Sequence, residues 1–258
     1  MGNFIIAAEA NLLDYTATAS SAAANFPASN LKLYNRPKLA WRSTAVTAQS
    51  IVFDFGSAKT IALAVFDWCN FVDGDFQNDA ANTWSPPDAT QAVEIAQNAD
   101  THRYGIYIPP SGFTRRYARL AIDAQTPTDG SGYFSLGRAM FFESVLTLTE
   151  NPDAGFSWQT ERFFAKNVFD GGGQERISLG SAPRRSGKFQ WSDIDRVNNL
   201  DEIRQLALMD ESQLIVVCEN FTGDYSDFVV CFRDDPIPIS WDSYQFATTG
   251  SLNFTESI

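Results

Sequence analysis

Ile51-Val52-Phe53-Asp54-Phe55-Gly56-Ser57 is the stretch that decides the fold class. Its alternation sets Ile51, Phe53 and Phe55 on one face and Asp54 on the other, the period of a strand with one wet side. Gly56-Ser57 reads as a turn, and Thr60 to Phe66 then runs apolar and β-branched, as a strand covered on both faces does. The two stretches together suggest a hairpin-like unit. Downstream, a polar loop rich in Asp, Asn and Pro is expected from Asp73 to Asp88, followed by an extended Tyr104 to Ile108 that Pro109-Pro110 stops. Arg116 to Asp123 puts Ala118, Leu120 and Ile122 on one face and Tyr117, Arg119 and Ala121 on the other. After the turn cluster Thr126 to Gly132 come two more extended stretches, Tyr133 to Leu136 and Met140 to Leu148. Short strands separated by turn clusters predict a mainly β protein with an N-terminal sandwich or jelly roll.

The rest of the chain has a different rhythm. Asn151-Pro152-Asp153-Ala154-Gly155 is the expected boundary, giving a first domain over 1–150 and a smaller β-rich domain over 151–258. In the latter, Glu175 to Leu179, Leu214 to Glu219 and Asp227 to Arg233 read as strands, and Asn199 to Met209 as one short helix with Asn199 as N-cap and Glu202 at the capping-box position.

Composition bounds the function. The chain has 258 residues, 44% hydrophobic, 14% aromatic and 19% charged, which excludes a disordered, charge-driven chain. A net charge of -12 argues against a nucleic-acid partner. No apolar run approaches the roughly 20 residues that span a bilayer, and the first residues lack the basic, apolar and small-residue order of a secretion signal. Cys69, Cys218 and Cys231 read as buried free thiols of a reducing compartment, with a Cys218–Cys231 cross-strand disulfide as the alternative. The 14 arginines against five lysines, beside so many aromatics, suit a subunit that buries its surface against neighbours, or else reflect a compositional bias of the genome. His102 is the only histidine, and no nucleophile elbow, zinc-protease helix, phosphate-cradling loop or Cys-x-x-Cys pair is present, so no catalytic residue and no cofactor is expected. Arg184-Arg185-Ser186-Gly187-Lys188 reads as a basic loop facing water, and Gly171-Gly172-Gly173 as a hinge or tight turn.

Residues 28–148 resemble a discoidin-type, galactose-binding-like jelly roll of the kind found in phage virion proteins. The likeness is carried by Ala28-Ser29-Asn30-Leu31, Ala40-Trp41-Arg42-Ser43-Thr44, the Ile51 to Ile61 stretch, Arg115 to Ile122 and Gly132 to Arg138. It implies a Trp41 that caps the core edge. It further implies a non-enzymatic structural protein of a phage tail tip or baseplate, assembled in the host cytoplasm into the virion tail as a homo-oligomer in contact with other tail proteins. The alternative it implies is a carbohydrate-binding module that recognises host-surface glycans.

Under either reading the candidate ligand residues are Trp84, Tyr104, Asp73 and Asp75. Trp84 beside Pro86-Pro87 is the surface candidate for an aromatic sugar platform, while Tyr107 is expected to pack in the core. Asp73 to Asp79 supplies hard oxygen ligands, but without the full spacing or the terminal Glu of a calcium loop it reads as a solvated loop.

Overall fold

In the computed structural model, residues 4–97, 103–107, 114–147, 153, 157–161, 164–168, 174–178, 184–192, 194–195, 213–218, 228–233, 239–241, 246–249 and 252–256 are described. Backbone contacts divide the chain into two compact units, one of Ile5–Leu146 with Val216–Phe228, the other of Met1–Phe4, Thr147–Ile215 and Val229–Ile258. The chain is mainly β, as its alternation dictates.

The first unit holds β1 (Ile5–Ala8), β2 (Thr16–Ala19), β3 (Trp41–Arg42), β4 (Gln49–Thr60), β5 (Leu63–Asp67), β6 (Gly74–Asp79), β7 (Ala89–Ala92), β8 (Glu94–Gln97), β9 (Arg103–Tyr107), β10 (Thr114–Ile122), β11 (Ser135–Leu136) and β12 (Arg138–Phe142), while β13 (Leu146–Thr147) crosses the division after Leu146. Two sheets form a sandwich: a five-stranded one in the order β2-β4-β10-β6-β7 and a four-stranded one in the order β12-β5-β9-β8. Phe53, Phe76, Ala118 and Leu120 from the first meet Ala64, Phe66 and Phe141 from the second in one core. Phe141 is its hub, 4.7 Å from Phe53 edge-on and stacked 6.0 Å from Phe76. Such ring pairs add about 0.5–1.5 kcal/mol each beyond the area they bury.

The alternation of β10 is realised as read, with Ala118, Leu120 and Ile122 buried and Arg119 half-buried on the outer face. β5 and β12 are buried on both faces, which is why their sequences lack alternation.

Several expectations need correction. β4 and β5 are not a hairpin: they belong to different sheets, and Ala62 N–H already bonds Phe142 O in the second layer at 2.7 Å. Gly56 does not turn the chain but bulges it. Its φ of +74° suits glycine, and the segment Phe55 to Ala58 stands opposite the single Arg116 because Lys59 pairs with Arg115 and Asp54 with Tyr117.

Asp73 to Asp88 is not one polar loop, since β6 and β7 both lie within or beside it. Phe76 and Asn78 face inward at 1% exposure, and an asparagine in a core position hides the strand period; its Oδ1 has no hydrogen-bond partner. Trp41 is a wholly buried member of the core cluster on the short β3–β11 pair, and its Nε1–H donates to Ser21 O at 2.9 Å.

The second unit contains β14 (Ser157–Glu161), β15 (Phe164–Val168), β16 (Gln174–Ser178), β17 (Arg184–Phe189), β18 (Ile194–Asp195), β19 (Leu214–Cys218), β20 (Phe228–Arg233), β21 (Ile239–Trp241), β22 (Phe246–Thr249) and β23 (Leu252–Glu256), β19 and β20 crossing the division. β20, β23, β17 and β14 are neighbours in that order, and Phe189 packs on Phe4 and Phe254 at 5.2 and 5.5 Å. The basic run Arg184 to Lys188 is therefore a strand, not a water-facing loop. Gly187 and Phe189 of β17 are buried, and Arg185 is tied to Glu256, itself 2% exposed. All three cysteines are buried and none is in a disulfide, so Cys218 and Cys231 are not cross-linked to each other. The expected helix over Asn199 to Met209, His102 and Gly171 to Gly173 lie outside the described residues.

Candidate functional site

β6 ends at Asp79, and the turn that leads to β7 is built by that carboxylate. Asp79 accepts from Ala81 N–H at 2.6 Å and from the Thr83 hydroxyl at 3.3 Å, and the Thr83 and Trp84 amides also point at it. The Ala81 N–H foremost holds the Asp79 carboxyl below the usual carboxylate range, so it is ionised at neutral pH. The far end of the turn is closed by Asp88, whose Oδ2 accepts from Ala80 N–H at 3.2 Å and from Arg115 Nε at 2.5 Å.

Between these ties stands Trp84. Its backbone is left-handed at φ +55°, as is that of Asn82 at +58°, a conformation a bulky residue adopts only when its surroundings impose it. The ring is fixed from two sides. Nε1–H donates to Asn82 Oδ1 at 2.5 Å, and the guanidinium of Arg119 lies 4.5 Å from the ring centroid. Arg119 is in turn held by two bonds to Gln77 Oε1, from Nε at 2.8 Å and from Nη2. Trp84 is half-buried, so one ring face rests on Arg119 while part of the indole stays open to solvent. Asn82 and Thr83 beside it are exposed and polar.

The sequence candidates do not gather around this platform. The turn bearing Trp84 lies at the end of the sandwich where β4 finishes, since Tyr117 pairs with both Asp79 and Asp54. Asp73 precedes Gly74, which pairs with Ile122 at the opposite end, and Asp75 pairs with Ala121 close by. Tyr104 sits on β9 opposite Asp67, at the end of β5 away from the β4–β5 crossing. Tyr107, opposite Ala64, lies on the same strand. Among the described residues no group of three or more His, Cys, Asp or Glu could hold a metal ion.

The residues that sequence reading missed are Arg119, Gln77, Asn82 and Asp79. A signal existed for Arg119, because its strand's alternation places it on the outer face. Gln77 belongs to a strand whose period was hidden, and the backbone conformation at Asn82 has no sequence mark.

Across β10 from the platform, a cleft of about 360 Å³ opens over Leu13, Tyr15 and Phe55, with Asp14, Lys59 and Glu143 at its mouth. Asp14 is held below the ordinary range by its hydrogen bond to Lys32, and Asp54 by Arg116, which binds it through both oxygens at 2.8 and 2.9 Å. Both acids are charged at neutral pH, so neither can give up a proton as the acid of a carboxylate pair. Burial pushes the Tyr15 hydroxyl on the cleft floor well up and its neighbour Tyr34 up to about 12, so both remain neutral phenols.

No protein-family model and no curated protein sequence matches this chain. Solved structures do. The lectin domain of lectinolysin complexed with Lewis B antigen is 12% identical, with a TM-score of 0.40, over 50% of this chain and 93% of that one. A Streptococcus pneumoniae fucose binding module, SpX-3, is 10% identical, with a TM-score of 0.39, over 51% and 96%. The family 32 carbohydrate-binding module of Clostridium perfringens NanJ, in complex with galactose, is 14% identical, with a TM-score of 0.40, over 54% and 99%. No helix among the described residues is long and apolar enough to cross a membrane.

Proposed function

We propose that the N-terminal sandwich is a non-catalytic glycan-binding module whose platform is Trp84. One observation carries this reading: a tryptophan held in a left-handed backbone, backed by Arg119 and left half-open to solvent among exposed polar neighbours. A buried core aromatic needs none of these devices. Sugar rings present flat C–H faces ringed by hydroxyls, and a rigid indole next to fixed donors and acceptors matches both at little entropic cost. The test is titration calorimetry or a glycan array with the full chain and its Trp84→Ala variant. Saturable binding that the variant loses supports the reading; no binding to any sugar of the array sinks it.

A second reading keeps the chain as a structural protein of a phage tail tip or baseplate, with the platform turned to the host and the segment after 150 as the assembly domain. It is favoured by the arginine and aromatic content and by Leu33 and Leu39, which stand 41% and 43% exposed on the sandwich. Sedimentation of the purified chain tests it, a monomer at high concentration counting against it.

A further inference from the structure

We propose that the open edge of β2 is a self-association surface, on which β2 of a second copy pairs antiparallel and joins two five-stranded sheets into one. The inference is independent of the platform on Trp84 and makes no use of the segment after 150.

β2 ends its sheet, with β4 on one side and no strand on the other among the described residues. The register sets Ala19 opposite Ile51, which brings Ser20 opposite Ser50, and Ser20 N–H donates to Ser50 O at 2.8 Å. Bonded and non-bonded pairs alternate along an antiparallel ladder. Thr16 and Thr18 therefore bond β4, whereas the N–H and C=O groups of Ala17 and Ala19 point away from it. Those outward groups have no hydrogen bond to any described residue. The 3-10 turn Ala28–Lys32 packs against the strand from the core side, through Ala28 and Leu31, and bonds neither alanine.

An open strand edge is a template for another strand, and native sheets guard it with charge, proline or a bulge. At the far edge of the same sheet, β7 follows Pro86-Pro87 and the charged Asp88. β2 has no such guard. Thr16 to Ala19 contains neither proline nor charge, and the uncharged run extends from Tyr15 to Leu31.

That neutrality points to a second copy as the partner. Two chains of net charge -12 repel wherever their acids meet, but the acids nearest this edge are compensated, Asp14 by Lys32 and Asp54 by Arg116. The strand is also its own complement. A two-fold axis at Thr18 sets Ala17 of one copy opposite Ala19 of the other, so the outward groups of each satisfy those of its partner. The same axis places the two Thr18 residues face to face in a non-bonded position, with Cα atoms about 4.5 Å apart. Thr18 is exposed on the outer face, and facing threonines are a favourable cross-strand pair.

The experiment follows the mass of the full chain by sedimentation, for wild type and two variants at Thr18, with circular dichroism as the check on folding. Wild type should sediment at twice the mass of one chain. Thr18→Cys, oxidised with glutathione disulfide, should be captured as a covalent dimer, because the facing pair falls within the Cα separation of about 4.4–6.8 Å that a disulfide spans. Wild type, whose three cysteines are buried, should give no cross-link under the same oxidation. Thr18→Lys sets two ammonium groups against each other and should weaken the dimer by about fivefold. A wild-type chain that stays monomeric overturns the inference and leaves the sugar platform standing. So does a dimer in which Thr18→Cys forms no cross-link, or one that a folded Thr18→Lys leaves unchanged.

Discussion

Arg138 donates through Nε to Asp67 where neither side chain has any exposed surface. The two face each other across β5 and β12, and each has a second bond: Arg138 Nη1 to Tyr34 O at 2.8 Å, and Trp68 N–H to Asp67 Oδ1 at 2.8 Å. The pair thus pins Tyr34 and the β5 terminus to one strand end. Removing one partner strands a buried charge, so Asp67→Ala should cost about 3–5 kcal/mol. Asp67→Leu with Arg138→Met should recover most of that loss, because an apolar pair carries no desolvation penalty. Urea denaturation of the single and double variants measures this, and additive losses would show the two residues to be uncoupled.

Asn70 performs a similar task with a neutral group. Its Nδ2 donates to Ser131 Oγ and Tyr133 O, both at 3.0 Å, and to the Asp129 carboxylate, while Oδ1 accepts from Ser135 N–H at 2.7 Å. One buried side chain therefore fixes the whole turn between β10 and β11. Asn70→Ala should lower stability by about 1–3 kcal/mol, the range for leaving buried partners unpaired. Asn70→Asp should be worse at neutral pH, since it sets a carboxylate against Asp129. An Asn70→Asp denaturation midpoint above that of Asn70→Ala would refute this.

Where the sequence carried a period, the fold was legible. Ala118, Leu120 and Ile122 face the core as their spacing requires, and the uniformly apolar β5 is covered on both sides. Local spacing has no information on which layer a strand joins, so the partnership of β4 and β5 was misread. β6 was missed for a different reason: its inward positions are Gly74, Phe76 and Asn78, only one of them a large apolar residue. Trp84 was singled out by its proline-flanked setting, whereas Arg119 and Gln77 join it only through the register of β10 with β6, which pairs them directly. That pairing spans 42 positions of sequence.

The glycines offer a sharp contrast. A methyl group on Gly137 would lie 2.6 Å from Trp68 Cβ and 2.7 Å from Pro37 O, and the latter is backbone that has nowhere to go. Gly56 has open space around that position but a φ of +74°, and Gly132 has open space and no such constraint. Gly137→Ala should therefore be the most damaging of the three, Gly56→Ala should cost about 1 kcal/mol through strain, and Gly132→Ala should be neutral or slightly stabilising. Thermal unfolding midpoints rank them, and a Gly137→Ala protein as stable as wild type would contradict the close approach.

The last expectation concerns acid. Asp79 has its folded pKa depressed, foremost by the Ala81 N–H and against the pull of burial, with the Thr83 and Trp84 amides adding to it. A depressed carboxyl stabilises the folded state in full above its unfolded value of about 3.9 and loses that contribution as pH falls through the lower, folded value. The tie that holds Trp84 on Arg119 is thus complete at neutral pH and opens in strong acid. Asp79→Asn removes the charge at every pH, so the stability difference between wild type and variant should be greatest near neutrality and shrink as the pH falls through the depressed, folded value. Asp54, whose carboxyl Arg116 also holds low, is the same in both proteins and cancels in the difference. Denaturation curves over that range, with sugar affinity measured alongside at neutral pH, make the check: the variant should bind weakly where wild type binds well. A difference that stays constant with pH would mean that the Asp79 charge does not hold the turn.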